Sequence, residues 1–375
     1  MVIEKVEPKD KKAARRFIRL PFSILGKEKN WVPPMERELF TLLSRRHPFF
    51  SHSEAAFFLA SRDGEDTGRI AVLDHRPYNR HHGEQTAFFT CFDLRQDEET
   101  AEALLDAATL WARNRGLKRL LGPKGFLRSS GQGLLVEGFD YFPALGIPWN
   151  PPYYRDLLEK AGCSKVTDLL SGYIDYGRRG DERLYRAAEI VRRRGAFGIL
   201  AFRRRRDCKP WLPAFKELQH LAFADNPNYI PSTDREFDLM ARNMMLLADL
   251  SITRFITKKE DLSGFILAFP NIGRALQRCR GKLFPSGWLQ ILSERKKTRA
   301  LDLNALGILP RYQKQGGEAL LFTELERLIR SSRYTSAEVL QIDEKNTLSR
   351  AAIEYFGVRW CKRHRIYERF LGGRE

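Results

Sequence analysis

The sequence predicts a mixed α/β chain of two related units, and three observations carry that expectation. Its 375 residues exceed the ~250 at which a single core usually stops growing. Stretches of apolar period two alternate with stretches of period 3.6, the marks of strands and amphipathic helices. One residue pattern also recurs at a nearly constant offset along the chain.

The repeat comes first because it fixes the domain organisation. Phe17 and Leu20 lead into Asn30-Trp31-Val32-Pro33 and Glu36-Arg37-Glu38-Leu39, and 198 residues later Phe215 and Leu218 lead into Asn228-Tyr229-Ile230-Pro231 and Asp234-Arg235-Glu236-Phe237. Gly68-Arg69-Ile70-Ala71 answers Gly264-Phe265-Ile266-Leu267 at an offset of 196, each after a polar turn, Arg62 to Thr67 and Lys258 to Ser263. Both pairs read as the second strand of a hairpin. Asn150, Arg155, Glu159 and Gly162 then face Asn346, Arg350, Glu354 and Gly357 at offsets of 196 and 195. A tandem duplication is expected, with domains 1–178 and 179–375 joined by a polar, glycine-containing linker near Tyr176 to Arg183.

The second unit shows its elements more plainly. A helix near Glu182 to Arg194 and a strand near Phe197 to Arg203 precede helices at Pro210 to Phe223 and Ser232 to Leu247. A hairpin covers Ser251 to Phe269, and a short helix, Ile272 to Cys279, leads through Pro285 and Trp288 to a strand at Ala300 to Leu309. A periodic helix with Leu320, Leu321, Leu325 and Leu328 on one face comes next. A strand at Ser336 to Ile342, a helix at Thr347 to Phe356 and a strand at Val358 to Phe370 close the unit. Parallel pairing is expected across the strand-helix-strand crossover.

Composition narrows the setting. Hydrophobic residues at 43% and charged residues at 30% describe a globular chain. The net charge of +18 attracts polyanions. Arg192 to Arg194 and Arg203 to Arg206 are the densest runs; they form either a solvated face or a phosphate or membrane contact. Five dispersed cysteines without a Cys-x-x-Cys pair argue against zinc and redox chemistry and fit a reducing cytoplasm. No metal is expected. The N-terminus is charged where a signal peptide would be apolar, and no 18 residues run free of charge. A cytoplasmic protein is expected, with peripheral contact at the inner membrane face left open. Helix-turn-helix and aromatic RNA-binding signatures are absent, which argues against nucleic acid as partner.

The chemistry concentrates in Leu306-Gly307-Ile308-Leu309-Pro310-Arg311-Tyr312-Gln313-Lys314-Gln315-Gly316-Gly317. A glycine-containing turn there joins a buried strand to a helix with no Ser, Thr or Asp at its cap. Uncapped amides at the positive end of a helix suit a pyrophosphate, which supplies the missing acceptor.

This strand, Pro-x-Tyr-Gln, two residues and Gly before a long helix resemble the acyl-CoA motif of the GNAT superfamily of N-acyltransferases. Asn346 with Ala351, Ala352, Tyr355 and Gly357 resembles the segment that follows it there. The resemblance implies two tandem GNAT-like domains of the acyl-CoA N-acyltransferase fold, α/β with a mixed sheet. It also implies acyl transfer from acetyl-CoA or a longer acyl-CoA, the co-substrate, to an amine. By that likeness the backbone of Leu306, Gly307 and Ile308 pairs with the pantetheine arm, Tyr312, Gln313, Lys314, Gln315, Gly316 and Gly317 hold the pyrophosphate, and Asn346 lies beside the cofactor. Tyr355 matches the acid that protonates the leaving thiolate, although it lies farther from Asn346 than is typical of the superfamily; a buried core tyrosine is the other reading. Glu318 departs from the pattern, where a small residue is usual. Either Gly317 takes over that role with the helix shifted by one residue, or the site is weakened. Lys314 and Arg311 favour the shift. Asp302, Asn304, His220 and Asp343 are polar residues that could line the groove, and none stands out as a base.

The first unit lacks the turn. After Gln85 to Phe92 come Asp93 to Thr100, whose acids at a helix start would repel phosphate. It reads as a degenerate copy that shapes the acceptor site. Gly122 to Phe126, Gly138 to Pro143 and Trp149 to Tyr154 are rich in aromatics, glycine and proline, suiting either a rigid loop lining an apolar cleft or packing over a sheet. Across the whole chain, Trp31-Val32-Pro33-Pro34, His47-Pro48-Phe49-Phe50 and Arg365-Ile366-Tyr367-Glu368 resemble the bacterial ceramide-synthase-like group of tandem GNAT proteins. That likeness implies a small-molecule or lipid amine, of sphingoid type, as acceptor. The rival expectation is a non-catalytic acyl-CoA-binding or nucleic-acid-binding regulatory protein on the same scaffold.

Overall fold

The computed structural model describes residues 1–127, 130–174, 181–224, 226 and 228–372. The first half runs β1 (Val2–Lys5), α1 (Lys11–Ile24), α2 (Glu36–Leu43), β2 (Glu54–Arg62), β3 (Glu65–Asp74), α3 (Arg76–His82), β4 (Thr86–Leu94), α4 (Glu98–Arg113), β5 (Arg119–Gly122), β6 (Leu134–Glu137), α5 (Tyr153–Lys160) and β7 (Ser164–Ile174). The second runs α6 (Glu182–Arg193), β8 (Gly198–Leu200), α7 (Leu212–Phe223), α8 (Asp234–Leu247), β9 (Arg254–Lys258), β10 (Asp261–Pro270), α9 (Gly273–Arg278), α10 (Gly287–Lys297), β11 (Ala300–Ile308), α11 (Gly317–Arg330), β12 (Ser336–Asp343), α12 (Thr347–Glu354) and β13 (Val358–Phe370).

The halves repeat each other in backbone detail. β3 and β10 are both ten residues long and start 196 positions apart. The hairpin turns before them place Asp63 (φ 51°) and Lys259 (φ 53°) in the same left-handed conformation, and Gly162 (φ 80°) and Gly357 (φ 71°) do so ahead of β7 and β13. Such conformations are rare for non-glycine residues, so their recurrence at offsets of 196 and 195 speaks for duplication. Of the linker expected at Tyr176 to Arg183, residues 176–180 lie outside the described residues. Asp181 caps α6 by accepting from the Arg183 amide at 2.8 Å.

One continuous sheet spans both halves, in the order β1-β2-β3-β4-β5-β13-β7-β12-β11-β10-β9-β8, with β6 beside β13. The sequence did not announce this exchange of final strands. β13, from the second half, pairs with β5 of the first; β7, from the first half, pairs with β12 of the second. β7 and β13 pair antiparallel along ten positions about the approximate two-fold. The second-half crossover pairs parallel as expected, Ala300 to Leu303 with Ser336 to Val339, and the first half does the same, Thr86 to Phe88 with Arg119 to Leu121. Four apolar clusters fill the two faces, two in each half. One expectation is corrected: the stretch containing Trp288, read as a connection, is the helix α10. Its residues after Gly287 are good helix formers, but they bury almost nothing, so the apolar periodicity that marks a packed helix is missing.

Candidate functional site

β11 builds the site by leaving its neighbour. Its pairing with β12 ends at Leu303 and Val339, whereas pairing with β10 on the other side continues to Ile308 and Gly264. Ala305 to Ile308 therefore border an open wedge in the sheet. β11 then ends at Pro310 to Tyr312, a single 3-10 turn. Tyr312 Oη donates to Asp261 at 2.6 Å and Arg311 to the same carboxylate at 2.9 Å, fixing the turn to the hairpin below it.

Lys314 (φ 58°) and Gly316 (φ 84°) turn the chain into α11. Gly316 sits at the cap position in a left-handed conformation with no side-chain cap. The first helical rung is Leu320 N–H to Gly316 O at 3.1 Å. Among the described residues, no protein group accepts from the amides of Lys314 to Ala319. Glu318 does not plug the opening: it is half-buried and makes no described hydrogen bond or ion pair. Gln315 donates to Arg311 O at 2.8 Å and contacts Lys258 Nζ, while Gln313 Nε2 donates to Ile308 O at 3.3 Å. The glycines also serve packing. A Cβ on Gly316 would lie 2.5 Å from Val191 Cγ2, and one on Gly317 2.9 Å from Ile256. Val191 ends α6 against the turn, so the run Arg192 to Arg194 emerges beside it. Arg192 and Arg193 share Glu189 at 3.8 and 2.8 Å.

The other expected residues lie elsewhere. Asn346 caps α12, its Oδ1 accepting from Ser349 N at 3.0 Å. Tyr355 is 44% exposed, which removes the core reading. Its described neighbours are Arg183, 5.3 Å from its ring, and the Asp181 amide, both at the start of α6 rather than at the turn. His220 Nδ1 meets Tyr229 Oη at 2.5 Å within the helical layer. Asp343 holds Asn228 at 2.8 Å and Thr167 at 2.7 Å.

Asp302 is the residue whose setting the sequence concealed. It stands one position before the wedge opens, is 2% exposed, and accepts from Leu145 N at 2.9 Å and Asn271 Nδ2 at 3.0 Å. Burial, with the Glu338 carboxylate beside it on β12, pushes its pKa up to about 7. Glu338 is raised too, by burial, against the pull of Lys362 Nζ at 2.5 Å. The Phe142 carbonyl closes the group from above, accepting from Tyr173 at 3.1 Å and Lys362 at 3.0 Å. Four successive strands, β11, β12, β7 and β13, contribute one member each, a row no linear motif could reveal.

The first half has a matching wedge, since β4 leaves β5 after Phe88, but protein fills it. On β4 the Leu94 N–H donates to Tyr154 Oη at 2.9 Å, and Tyr153 Oη donates to Leu94 O at 3.0 Å. At its base, Lys124 is fully buried over the Tyr78 and Phe88 rings, donating to Asn228 Oδ1 at 3.2 Å. The aromatic loop segments therefore pack over the sheet.

No family model matches the chain. It is 28% identical over 370 residues to a bacterial ceramide synthase of Caulobacter vibrioides, covering 95% of this chain and 94% of that one. It is 26% identical over 370 residues to protein YghO of Escherichia coli, covering 96% and 93%. Among solved structures, a tandem GNAT protein from the clavulanic acid biosynthesis pathway superposes with a TM-score of 0.58 at 12% identity, covering 100% of both chains. A GCN5-related N-acetyltransferase from Sphaerobacter thermophilus gives 0.52 at 14% identity, covering 99% and 96%.

Proposed function

We propose, from the premise that the chain has the GNAT fold in tandem, that it is an acyl-CoA-dependent N-acyltransferase whose second half holds the co-substrate. The observation that carries this reading is the asymmetry of the two wedges: phenols close the first, while the second opens beside a helix whose leading amides have no acceptor among the described residues. Those amides and the positive helix end suit a pyrophosphate. The exposed edge of β11 from Ala305 to Ile308 suits an extended amide-bearing arm lying beside it as an extra strand. Glycine at 316 and 317 keeps this wall thin, and Lys258, Lys314 and the arginines ending α6 supply positive charge.

Bound acyl-CoA supplies a thioester carbonyl. In the transfer, the acceptor nitrogen forms a bond to that carbon, the carbon–sulfur bond breaks, the nitrogen gives up a proton, and the thiolate leaves with one. Asp302 is the proposed proton acceptor, because its position at the wedge and raised pKa suit a base working near neutrality. Tyr355 is the proposed donor to sulfur only by resemblance; a Tyr355→Phe protein with an unchanged rate removes it from that role. The ceramide synthase relative, at 28% identity, supports a long-chain acyl group and a sphingoid-type amine as the finer reading.

Calorimetry with CoA, acetyl-CoA and longer acyl-CoAs tests the proposal, followed by turnover on short and long-chain amines. Binding to none of them would overturn it. Glu318 in the first turn of α11 favours one alternative, an acyl-CoA-binding protein without turnover, which would bind and leave every amine unchanged.

A further inference from the structure

We infer that α10 and the turn before it form a docking surface for an anionic lipid bilayer. Between β10 and β11 the second half carries 29 residues, 271–299, where the first half carries 11, 75–85. α9 answers α3 of the first half, and α10 lies within the added length. Phe284 is 74% exposed, Trp288 46%, Leu289 52% and Leu292 46%, so four large apolar side chains face solvent within nine positions. Lone exposed apolar residues are ordinary; a contiguous set marks a contact surface.

The inner side of the element is anchored, so the outward display is built rather than frayed. Gly287 is buried, and Arg295 donates to Ala248 O at 2.9 Å while accepting at its own carbonyl from Arg333 at 2.9 Å. Upstream, Gly281 O accepts from the Glu36 amide of the first half at 3.1 Å.

Charge selects the partner. From Arg278 to Arg299 there are seven Lys or Arg and one acid, Glu294, and Glu294 is already paired with Arg278 at 2.5 Å. Lys282 before the helix and Lys296 and Lys297 at its end are exposed and make no described ion pair. Aromatic and leucine side chains flanked by lysines are the composition of an interfacial helix, the apolar face seated at the acyl boundary and the cations among acidic headgroups. A second copy of a chain with net charge +18 would place like charges against each other at the same face, which disfavours self-association there.

The inference deepens the proposed function by naming where a lipid amine would be met, but its test is independent of catalysis. The full chain is sedimented with phosphatidylcholine vesicles and with vesicles containing phosphatidylglycerol, while the emission of Trp288 is followed against a Trp288→Phe protein. Expected are co-sedimentation with the anionic vesicles, weakening with salt, and a blue shift that Trp288→Phe removes. A Trp288→Ser, Leu289→Ser protein, altered only at exposed positions, should lose about tenfold or more in vesicle affinity while keeping its calorimetric CoA binding. Equal binding by that variant overturns the inference, as does a wild-type chain that stays in the supernatant. A dimer in velocity sedimentation that the double variant dissolves, without vesicle binding, assigns the face to a second copy instead. Loss of CoA binding by the wild-type chain would count against the proposed function alone.

Discussion

Gly316 joins two demands at one residue: a left-handed φ of 84° and a Cβ position 2.5 Å from Val191 Cγ2. Gly316→Ala should cost about 1–3 kcal/mol of stability, read by chemical denaturation, and should raise the calorimetric Kd for CoA; an unchanged Kd would move the phosphate site away from this turn. Asp302 makes a pH-dependent forecast. Because its folded pKa is raised from 3.8 to about 7, its contribution to stability is complete below pH ~4 and is lost as pH rises through 7. The ionised base, in contrast, appears over that same interval. In Asp302→Asn the rise of kcat/KM through neutrality should vanish while stability above pH 7 improves; a variant with the wild-type rate profile leaves the carboxyl a purely structural part. His364 works in the opposite sense. Fully buried and donating Nε2–H to Pro148 O at 3.0 Å, it has its pKa held down to about 4, chiefly by burial. Between pH 6.5 and 4 only the unfolded chain takes up this proton, a loss on the order of 3 kcal/mol. His364→Gln should flatten that acid limb of the denaturation midpoint, and an unaltered limb would refute the assignment.

At the scale of elements, the buried pair Lys362 and Glu338 ties β13 to β12 across the intervening β7. Both side chains are at most 2% exposed, so Lys362→Met leaves an uncompensated carboxylate and should cost roughly 3–5 kcal/mol. Adding Glu338→Gln should recover much of that in a double-mutant cycle; failure to recover would mean the two do not act as a pair. How far such elements could be read depended on range. The hairpins, α11, the second half's parallel crossover and the uncapped turn were visible in the sequence because period, proline and glycine placement are local signals. α10 was not, because a helix that buries only Gly287 lacks the apolar stripe that periodicity detects. The row of Asp302, Glu338, Tyr173 and Lys362 was equally hidden, since its members are scattered between positions 173 and 362 and become neighbours only through strand register. Tyr153 and Tyr154 were noticed as an aromatic pair, but that they close the first wedge follows from where α5 packs.

For the whole molecule, duplication was legible and exchange was not: an offset of 196 reveals two copies but says nothing about which copy's last strand lies beside which. The exchange makes the halves interdependent. Residues 1–174 alone would leave β5 and β7 with bare edges where β13 belongs, and residues 181–372 alone would lack β7 between β12 and β13. Each expressed separately should be aggregated or poorly folded, and the two co-expressed should recover a cooperative transition by circular dichroism. A half that folds by itself would show that the shared sheet is a docking contact rather than a common core.

The position of β13 also bears on biosynthesis. β13 follows every other strand of this sheet in chain order and is inserted at its middle, between β5 and β7, whereas β1 lies at an edge. The first half must therefore wait, incompletely zipped, until β13 has been synthesised. Shortening the chain by a few residues at its start should be tolerated, but trimming back into β13 removes the central stave against which both copies close.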